Sequence, residues 1–294
     1  MPPREDPIRG IVLAVGATMQ FAIADTTAKF LSTSLPIVEL AWIRYVIFVV
    51  VGLALVRPGS PAALRTRDPG WQILRGFCVV GSSVLFVYGI RSMTMAQATT
   101  ISFLSPLIVT VLSIPLLGEV VGLRRWAAVA AGMAGMLIVV RPGAGSFDPA
   151  ALFGVASSCC WAFALIITRK IAGRDPPGIT VVWSASVGTL VLTCLLPFEA
   201  IWPAWWQLGL AALLGVLSAG GQFMVVLAHQ HAPASMLAPF FYVQLLWVIV
   251  SGYVVFGNLP DRWTLVGAAV IVSSGLYTAH RERIRRRTAA RAQA

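Results

Sequence analysis

Four ionisable side chains stand where a lipid-facing helix has no use for them. Asp25 and Lys29 lie in the apolar run 8–31, and Glu39 and Arg44 lie in the next run, 36–56. A charge at the centre of a membrane helix costs at least about 2.5–3.5 kcal/mol on insertion scales, so each needs a partner or water. Measured from the turn at Pro36, Asp25 is about 9 Å deep and Arg44 about 12 Å, at about 1.5 Å per residue. Lys29 and Glu39 are both nearer that surface. The matched depths predict a two-rung ladder, Asp25–Arg44 and Lys29–Glu39, with Asp25 and Lys29 on one helix face at i, i+4. Such a ladder either clamps two helices or lines an outer vestibule. In the second case Arg44 holds a solute carboxylate and Asp25 exchanges a proton.

A second set of groups falls near the middle of apolar runs: Gln20, Ser83, Ser102, Ser105, Trp161, Trp183, Gln222, Tyr242 and Gln244. A mostly apolar cavity with a few placed polar groups has this composition. Helix–helix packing in lipid gathers small and polar residues too. Pro106 and Pro239 each remove a backbone N–H from a run, and the carbonyls so freed are tolerated only against protein or a cavity. Runs four and nine are therefore the expected cavity walls. Glu119 near Arg124 and Arg125 reads as an interfacial ion pair. Arg91 ends the third run and joins Asp25, Lys29 and Glu39 as a gating or coupling candidate. His229 and His231, around Gln230, read as interfacial histidines rather than a proton relay. No metal-ligand spacing, phosphate loop or nucleophile–base set meets at one depth, so neither an enzyme nor a resident cofactor is expected.

The elements that must carry these residues follow from composition. The chain has 294 residues, 58% hydrophobic and 11% charged, with mean hydropathy +0.83. A soluble domain carries about 25% charged residues; the solvent for most of this chain is lipid. Apolar runs long enough to span a bilayer fall at 8–31, 36–56, 71–91, 96–117, 123–140, 150–172, 178–198, 206–228, 235–256 and 262–279. The first is too long for the apolar core of a signal peptide and is expected to remain as a helix. Cys78, Cys159, Cys160 and Cys194 all lie inside runs, without zinc or redox spacing, and read as free thiols.

The net charge of +11 is arranged as a topology signal rather than a nucleic-acid face. With both termini cytoplasmic, the inside segments hold Arg4, Arg9, Arg57, Arg65, Arg67, Arg75, Arg124, Arg125, Arg169, Lys170, Arg174 and the tail arginines. The outside segments hold only Lys29, Arg91, Arg141 and Arg262. That is a strong positive-inside bias. The basic stretch 281–294 is expected to lie against anionic lipid headgroups. Trp202, Trp205 and Trp206 read as an outer aromatic belt.

The chain matches itself at an offset of about 140. Phe21-Ala22 faces Trp161-Ala162, Lys29 faces Arg169, Pro36 and Trp42 face Pro177 and Trp183, and Gly81 faces Gly220. Phe103 faces Tyr242, Gly118-Glu119 faces Gly257-Asn258, and Trp126 faces Trp263. Five spans per repeat is an odd number, so the halves run in opposite directions. The fold expected is an all-α membrane protein of ten transmembrane helices in two inverted five-helix repeats, 8–141 and 150–280. Inverted repeats are a carrier architecture, because exchanging the halves' conformations exchanges the open side.

On these residues the chain resembles the drug/metabolite transporter superfamily, in its EamA branch. The most specific stretches are Phe103-Leu104-Ser105-Pro106 through Leu117-Gly118-Glu119, Arg124-Arg125-Trp126, and Gly132 to Arg141-Pro142-Gly143. Asp25-Thr26-Thr27-Ala28-Lys29-Phe30-Leu31 and Trp42-Ile43-Arg44-Tyr45 are similar to a subgroup that includes riboflavin and S-adenosylmethionine carriers and a metallophore exporter. The second unit departs from the pattern, with Leu245 and Gly257-Asn258 where the first has Pro106 and Gly118-Glu119. The resemblance implies a secondary carrier of the bacterial inner membrane, monomeric or homodimeric, with the proton as candidate coupling ion. Its solute would be a small amino-acid-like, vitamin or related zwitterionic or anionic metabolite. An amino-acid or metallophore exporter, and a non-transporting membrane assembly protein, are the alternatives.

Overall fold

The computed structural model describes residues 7–56, 64–118, 123–141, 148–171, 174–175, 177–198, 201–232, 237 and 240–293. These residues form helices, with no strand among them. In chain order they are α1 (Pro7–Leu31), α2 (Ile37–Val56), α3 (Pro69–Ser92), α4 (Met95–Ser102), α5 (Ser105–Leu117), α6 (Leu123–Val140), α7 (Ala150–Lys170), α8 (Pro177–Leu195), α9 (Trp205–His231), α10 (Gln244–Phe256) and α11 (Arg262–Gln293). Among the described residues, seven stretches are long and apolar enough to cross a membrane, and α4 with α5 makes one of them; Trp126–Val140 and Gln244–Phe256 are shorter apolar helices. The basic stretch after residue 280 is not a separate element, since α11 runs through it.

The helices pair across the two halves with their roles exchanged. α1 packs on α9, and α7 on α3. α2 packs on α9, and α8 on α3. α5 packs on α7, and α10 on α1. α2 meets α8, and α6 meets α11. Lipid tails are as apolar as leucine, so burial alone does not drive helices together, and small residues at the contact do the work. α1 presents Ala14, Ala17, Ala22, Ala24 and Ala28, all essentially fully buried. α9 answers with Gly220 and Gly221, which seat Gln20 and Phe21 of α1. The Tyr45 ring of α2 lies on Gly188 of α8.

Two glycines end equivalent helices. Gly118 closes α5 at φ 68° and Gly257 closes α10 at φ 67°. Only glycine takes this left-handed cap at little cost, which gives the Gly118/Gly257 sequence match its physical reason.

The α6–α11 contact is backbone on backbone. A Cβ added at Gly267 would stand 2.6 Å from the Gly135 carbonyl oxygen. Gly267→Leu is therefore expected to lower the melting temperature of the purified protein, at a cost of about 1–3 kcal/mol. Gly209→Leu, where nothing lies within 4 Å, should leave it unchanged. Equal effects of the two substitutions would contradict this packing.

Candidate functional site

The chain breaks twice inside the bundle, at equivalent places. The first break is Phe103-Leu104, between α4 and α5. Pro106 has no N–H, so the Ser102 carbonyl loses its i+4 donor, and the Ser105 hydroxyl donates to it instead at 2.9 Å. Leu104 N–H turns back to the Ile101 carbonyl at 3.0 Å, an i−3 bond that tightens the chain. Pro106 itself is exposed, in the first turn of α5. The structure thus moves the interruption from Pro106, where the sequence put it, to the two residues before α5, because proline is tolerated where a helix begins. The second break is Tyr242-Val243, before α10. It forms without proline: Val243 N–H donates to the Phe240 carbonyl at 3.2 Å and Leu245 N–H to the Tyr242 carbonyl at 3.1 Å. Pro239 lies outside the described residues. The break residues meet, with the Phe103 and Tyr242 rings edge to face at 4.9 Å. The Tyr242 hydroxyl abuts Gly275 of α11.

Next to this pair lie the charges of α1 and α2. Gln244 Nε2, at the start of α10, donates to Asp25 Oδ2 at 3.4 Å. Arg44 Nη1 donates to Ser83 Oγ of α3 at 3.1 Å, and its Nε is buried without a partner. Arg44 acts electrostatically on Asp25, but among the described residues the two form no direct ion pair. The first rung is thus a gap with a polar partner on each side. At the next residue of α1, Thr26 Oγ1 and Ser251 Oγ lie 2.8 Å apart and tie α1 to α10.

The second rung does not form. Lys29 Nζ donates to the Met93 carbonyl at 2.5 Å and sits 5.1 Å over the Phe256 ring. A carbonyl at the end of α3 and an aromatic face satisfy the ammonium without a carboxylate. Glu39 is buried and accepts from the Ile201 N–H at 3.1 Å. Arg91 is exposed at the end of α3. Ser102 donates within its own helix, to the Ala98 carbonyl. Trp183 is not a midplane group: its Nε1 donates to the Leu64 carbonyl at 2.8 Å and tethers the segment before α3. Trp161 and Gln222 are half-buried on α7 and α9. Glu119 and the side chains of Arg124, Arg125, His229 and Gln230 lie outside what the structure describes.

Each end of the bundle is drawn together by polar contacts that spacing alone did not single out. At the α2–α3 end, Asp68 pairs with Arg174 at 2.9 Å. Asp175 accepts from Thr66 Oγ1, from the Arg67 N–H at 3.2 Å and from Gln72 Nε2 at 3.1 Å. Gln72 also reaches Thr180. At the opposite end, Gln207 Nε2 of α9 donates to Ser34 Oγ at 3.0 Å, and Glu39 holds Ile201. Arg141 pairs with Asp261 beside a cavity of about 150 Å³ whose lining includes Gln97, Ile101 and Asp148. The available signal was a Gln or Asp just inside a helix start, at Gln72 and Gln207, facing a turn of the other half.

Burial raises the Asp175 carboxyl, but the hydrogen bonds from Thr66, Arg67 and Gln72 outweigh it and hold the group below its ordinary 3.8. A depressed carboxylate adds stability that is present above its unfolded pKa and lost as pH falls through the folded value. The clasp should therefore hold across the neutral range and loosen only below about pH 3.8. Hydrogen exchange of amides 64–72, corrected for intrinsic rate, should match at pH 7 and pH 5. Asp175→Asn should speed it several-fold at both. An unchanged rate in the variant would mean that Asp175 does not hold this end.

A model of the EamA-like transporter family matches residues 8–141 and again 148–278. The chain is 30% identical over 285 residues to a riboflavin transporter of Vibrio cholerae, covering 92% of this chain and 93% of the relative. It is 26% identical over 276 residues to an S-adenosylmethionine uptake transporter of Rickettsia prowazekii, covering 94% of each. It is 27% identical over 265 residues to a pseudopaline exporter of Pseudomonas aeruginosa, covering 90% of this chain and 93% of the relative. One solved crystal structure superposes with a TM-score of 0.66 at 19% identity, over 96% of this chain and 99% of the other, which shows a shared fold. With apolar spans and two family matches in tandem over most of its length, the chain belongs to the EamA-like transporter family and is a multi-pass membrane transporter, not an enzyme.

Proposed function

We propose that this protein is a secondary carrier that moves a small organic metabolite across the bacterial inner membrane by alternating access. In this reading ten spans form two inverted five-helix repeats, with both termini cytoplasmic. The observation that carries it is the exchange symmetry of the packing, with equivalent break residues Phe103 and Tyr242 in contact where the halves meet. Carriers built from inverted repeats bind solute beside discontinuous helices near the midplane.

The end contacts support the same reading. The start of α3 is tied to the α7–α8 turn at one end, and the start of α9 to the α1–α2 turn at the other. Exchanging the halves maps one clasp onto the other. Opening one while the other stays closed moves the access route and leaves the site in place.

In this reading the solute is held by Asp25 and Arg44, with Gln244 bonded to the one and Ser83 to the other, near the break residues Phe103 and Tyr242. Asp25 is the candidate proton-coupling group. Riboflavin, S-adenosylmethionine and pseudopaline, the solutes named for the relatives, set the size class. The exporter among those relatives keeps efflux as the alternative direction.

The test is flux in proteoliposomes under an imposed proton gradient, over a broad metabolite panel. Gradient-driven flux of at least one solute is expected, falling at least tenfold in Asp25→Asn and in Arg44→Gln. The exchange Asp25→Arg with Arg44→Asp should not restore it, because Gln244 and Ser83 are matched to the native charges. No flux over the whole panel would sink the carrier reading.

A further inference from the structure

Among the described residues, the charges set inside the bundle are more often positive than negative, Lys29, Arg44 and Arg75 against Asp25 and Glu39. Arg75 lies six residues into α3, about 9 Å from the start of that helix at about 1.5 Å per residue. Its Nε donates to Thr168 Oγ1 of α7 at 2.7 Å. Its Nη1 donates to the Thr180 carbonyl of α8 at 3.3 Å and to the Ser184 hydroxyl. All of these partners are neutral. Among the described residues no carboxylate pairs with Arg75: Asp68 is taken by Arg174, and Asp175 by Thr66, Arg67 and Gln72. The other groups whose charge it would feel are the Tyr45 hydroxyl and the Cys78 thiol.

Arg44 reaches the same helix, α3, further from its start. Its partner Ser83 is eight residues beyond Arg75 on α3, about 12 Å further along at about 1.5 Å per residue. The fully buried Tyr45 lies within electrostatic reach of both guanidinium groups. Arg44 acts electrostatically on Asp25 without pairing with it directly. Among the described residues neither Arg44 nor Arg75 is paired with a carboxylate.

The donor inventory points the same way. A guanidinium has five N–H donors in a planar fork. Arg44 uses one nitrogen, toward Ser83, and keeps a buried Nε–H with no acceptor. Arg75 spends Nε and Nη1 on neutral oxygens alone. A charged donor without an acceptor at low dielectric is costly. A carboxylate or phosphate matches the fork with two parallel hydrogen bonds and removes the surplus charge. A mere helix clamp calls for neither the surplus charge nor the open donors.

We propose that Arg44 and Arg75 are an upper and a lower station for an anionic oxygen group, so that the carried solute bears a carboxylate or a phosphate. The proposal rests on the carrier reading and adds the charge of the solute to it. Thr168 and Ser184 hold the Arg75 fork in place when no anion is bound. A phospholipid phosphate entering from the cytoplasmic leaflet presents the same chemistry, and the test separates the two sources.

The purified protein in a neutral detergent is melted with matched probes: riboflavin 5′-phosphate against riboflavin, and N-acetylphenylalanine against its amide. A ligand that binds only the folded state raises the melting temperature in proportion to its affinity. The anionic member of at least one pair should raise it and the neutral member should not. Arg75→Gln should weaken the apparent affinity at least tenfold, and Arg75→Lys should retain part of it. Equal shifts by both members of every pair, or an anion preference unchanged in Arg75→Gln, would overturn the stations. If Arg75→Gln does not fold, Thr168→Val with Ser184→Ala, which frees the fork while keeping its charge, should weaken anion affinity several-fold; no change would count against the proposal. Stabilisation that depends on Arg75 but appears only with a short-chain phosphatidylglycerol would make Arg75 a lipid anchor and end the solute station. Flux of neutral solutes untouched by Arg75→Gln sinks the stations and leaves the carrier standing. Anion-selective melting without any flux does the reverse.

Discussion

Inside a bilayer a backbone N–H or carbonyl that leaves its helix has no water to turn to, and each one left unsatisfied costs several kcal/mol. The two breaks exist under that constraint. At Phe103-Leu104 the freed Ser102 carbonyl is met by the Ser105 hydroxyl, and the neighbouring N–H groups fall back on i−3 carbonyls. At Tyr242-Val243 the fallback bonds alone are enough. Both breaks sit in protein rather than against lipid: Leu104 is almost fully buried, and the Phe103 and Tyr242 rings cover each other. An aromatic pair of this geometry adds about 0.5–1.5 kcal/mol beyond its area. The breaks and the packing around them therefore require one another.

The same constraint orders the charges. Each cation at depth is turned toward something polar and neutral: Lys29 to a helix-end carbonyl and a ring face, Arg44 to Ser83, Arg75 to two hydroxyls and a carbonyl. Among the described residues, direct ion pairs lie at the ends of the bundle, at Asp68–Arg174 and Arg141–Asp261. A buried ion pair with good geometry resists separation, because parting it leaves two desolvated charges. Partly exposed pairs are worth at most about 1 kcal/mol each. The described pairs that are easily broken thus lie at the ends of the bundle, where the alternating-access reading proposed above requires opening.

Much of this was legible from residue types. Hydropathy gave an all-helical membrane chain, of whose ten expected spans seven described stretches are long and apolar enough to cross; residues matched at the offset near 140 meet as Phe103 on Tyr242 and share the caps at Gly118 and Gly257. Pairing by depth failed at Lys29 and Glu39 because depth is one coordinate, and the angle around each helix decides the neighbour. Lys29 turns toward α10 and the end of α3, while Glu39 turns toward the segment before α9. Trp183 looked central by its place in a run, yet the run's own start packs against residue 64. Arg75 counted only as a topology cation, because a sequence does not say that a residue six places into a helix faces inward. Gln72, Gln207 and Asp175 are common residues in common turns, and only the long-range contacts reveal the clasps.

The two breaks, alike in shape, differ in permanence. Pro106 removes an N–H covalently, so α4 and α5 cannot join through that bond whatever the surroundings. Leu245, at the matching place, keeps its N–H and uses it toward the Tyr242 carbonyl. Its local geometry is therefore a choice made by packing, by Phe103 on the Tyr242 ring and Gly275 against its hydroxyl. In the alternating-access reading proposed above, a contact that changes as the halves move can change the second break but not the first. In that reading the departure of the second half from the first, Leu245 for Pro106, acquires a mechanical sense. One half supplies a fixed discontinuity, and the other supplies one that answers to the position of Tyr242, two residues from the Gln244 that touches Asp25.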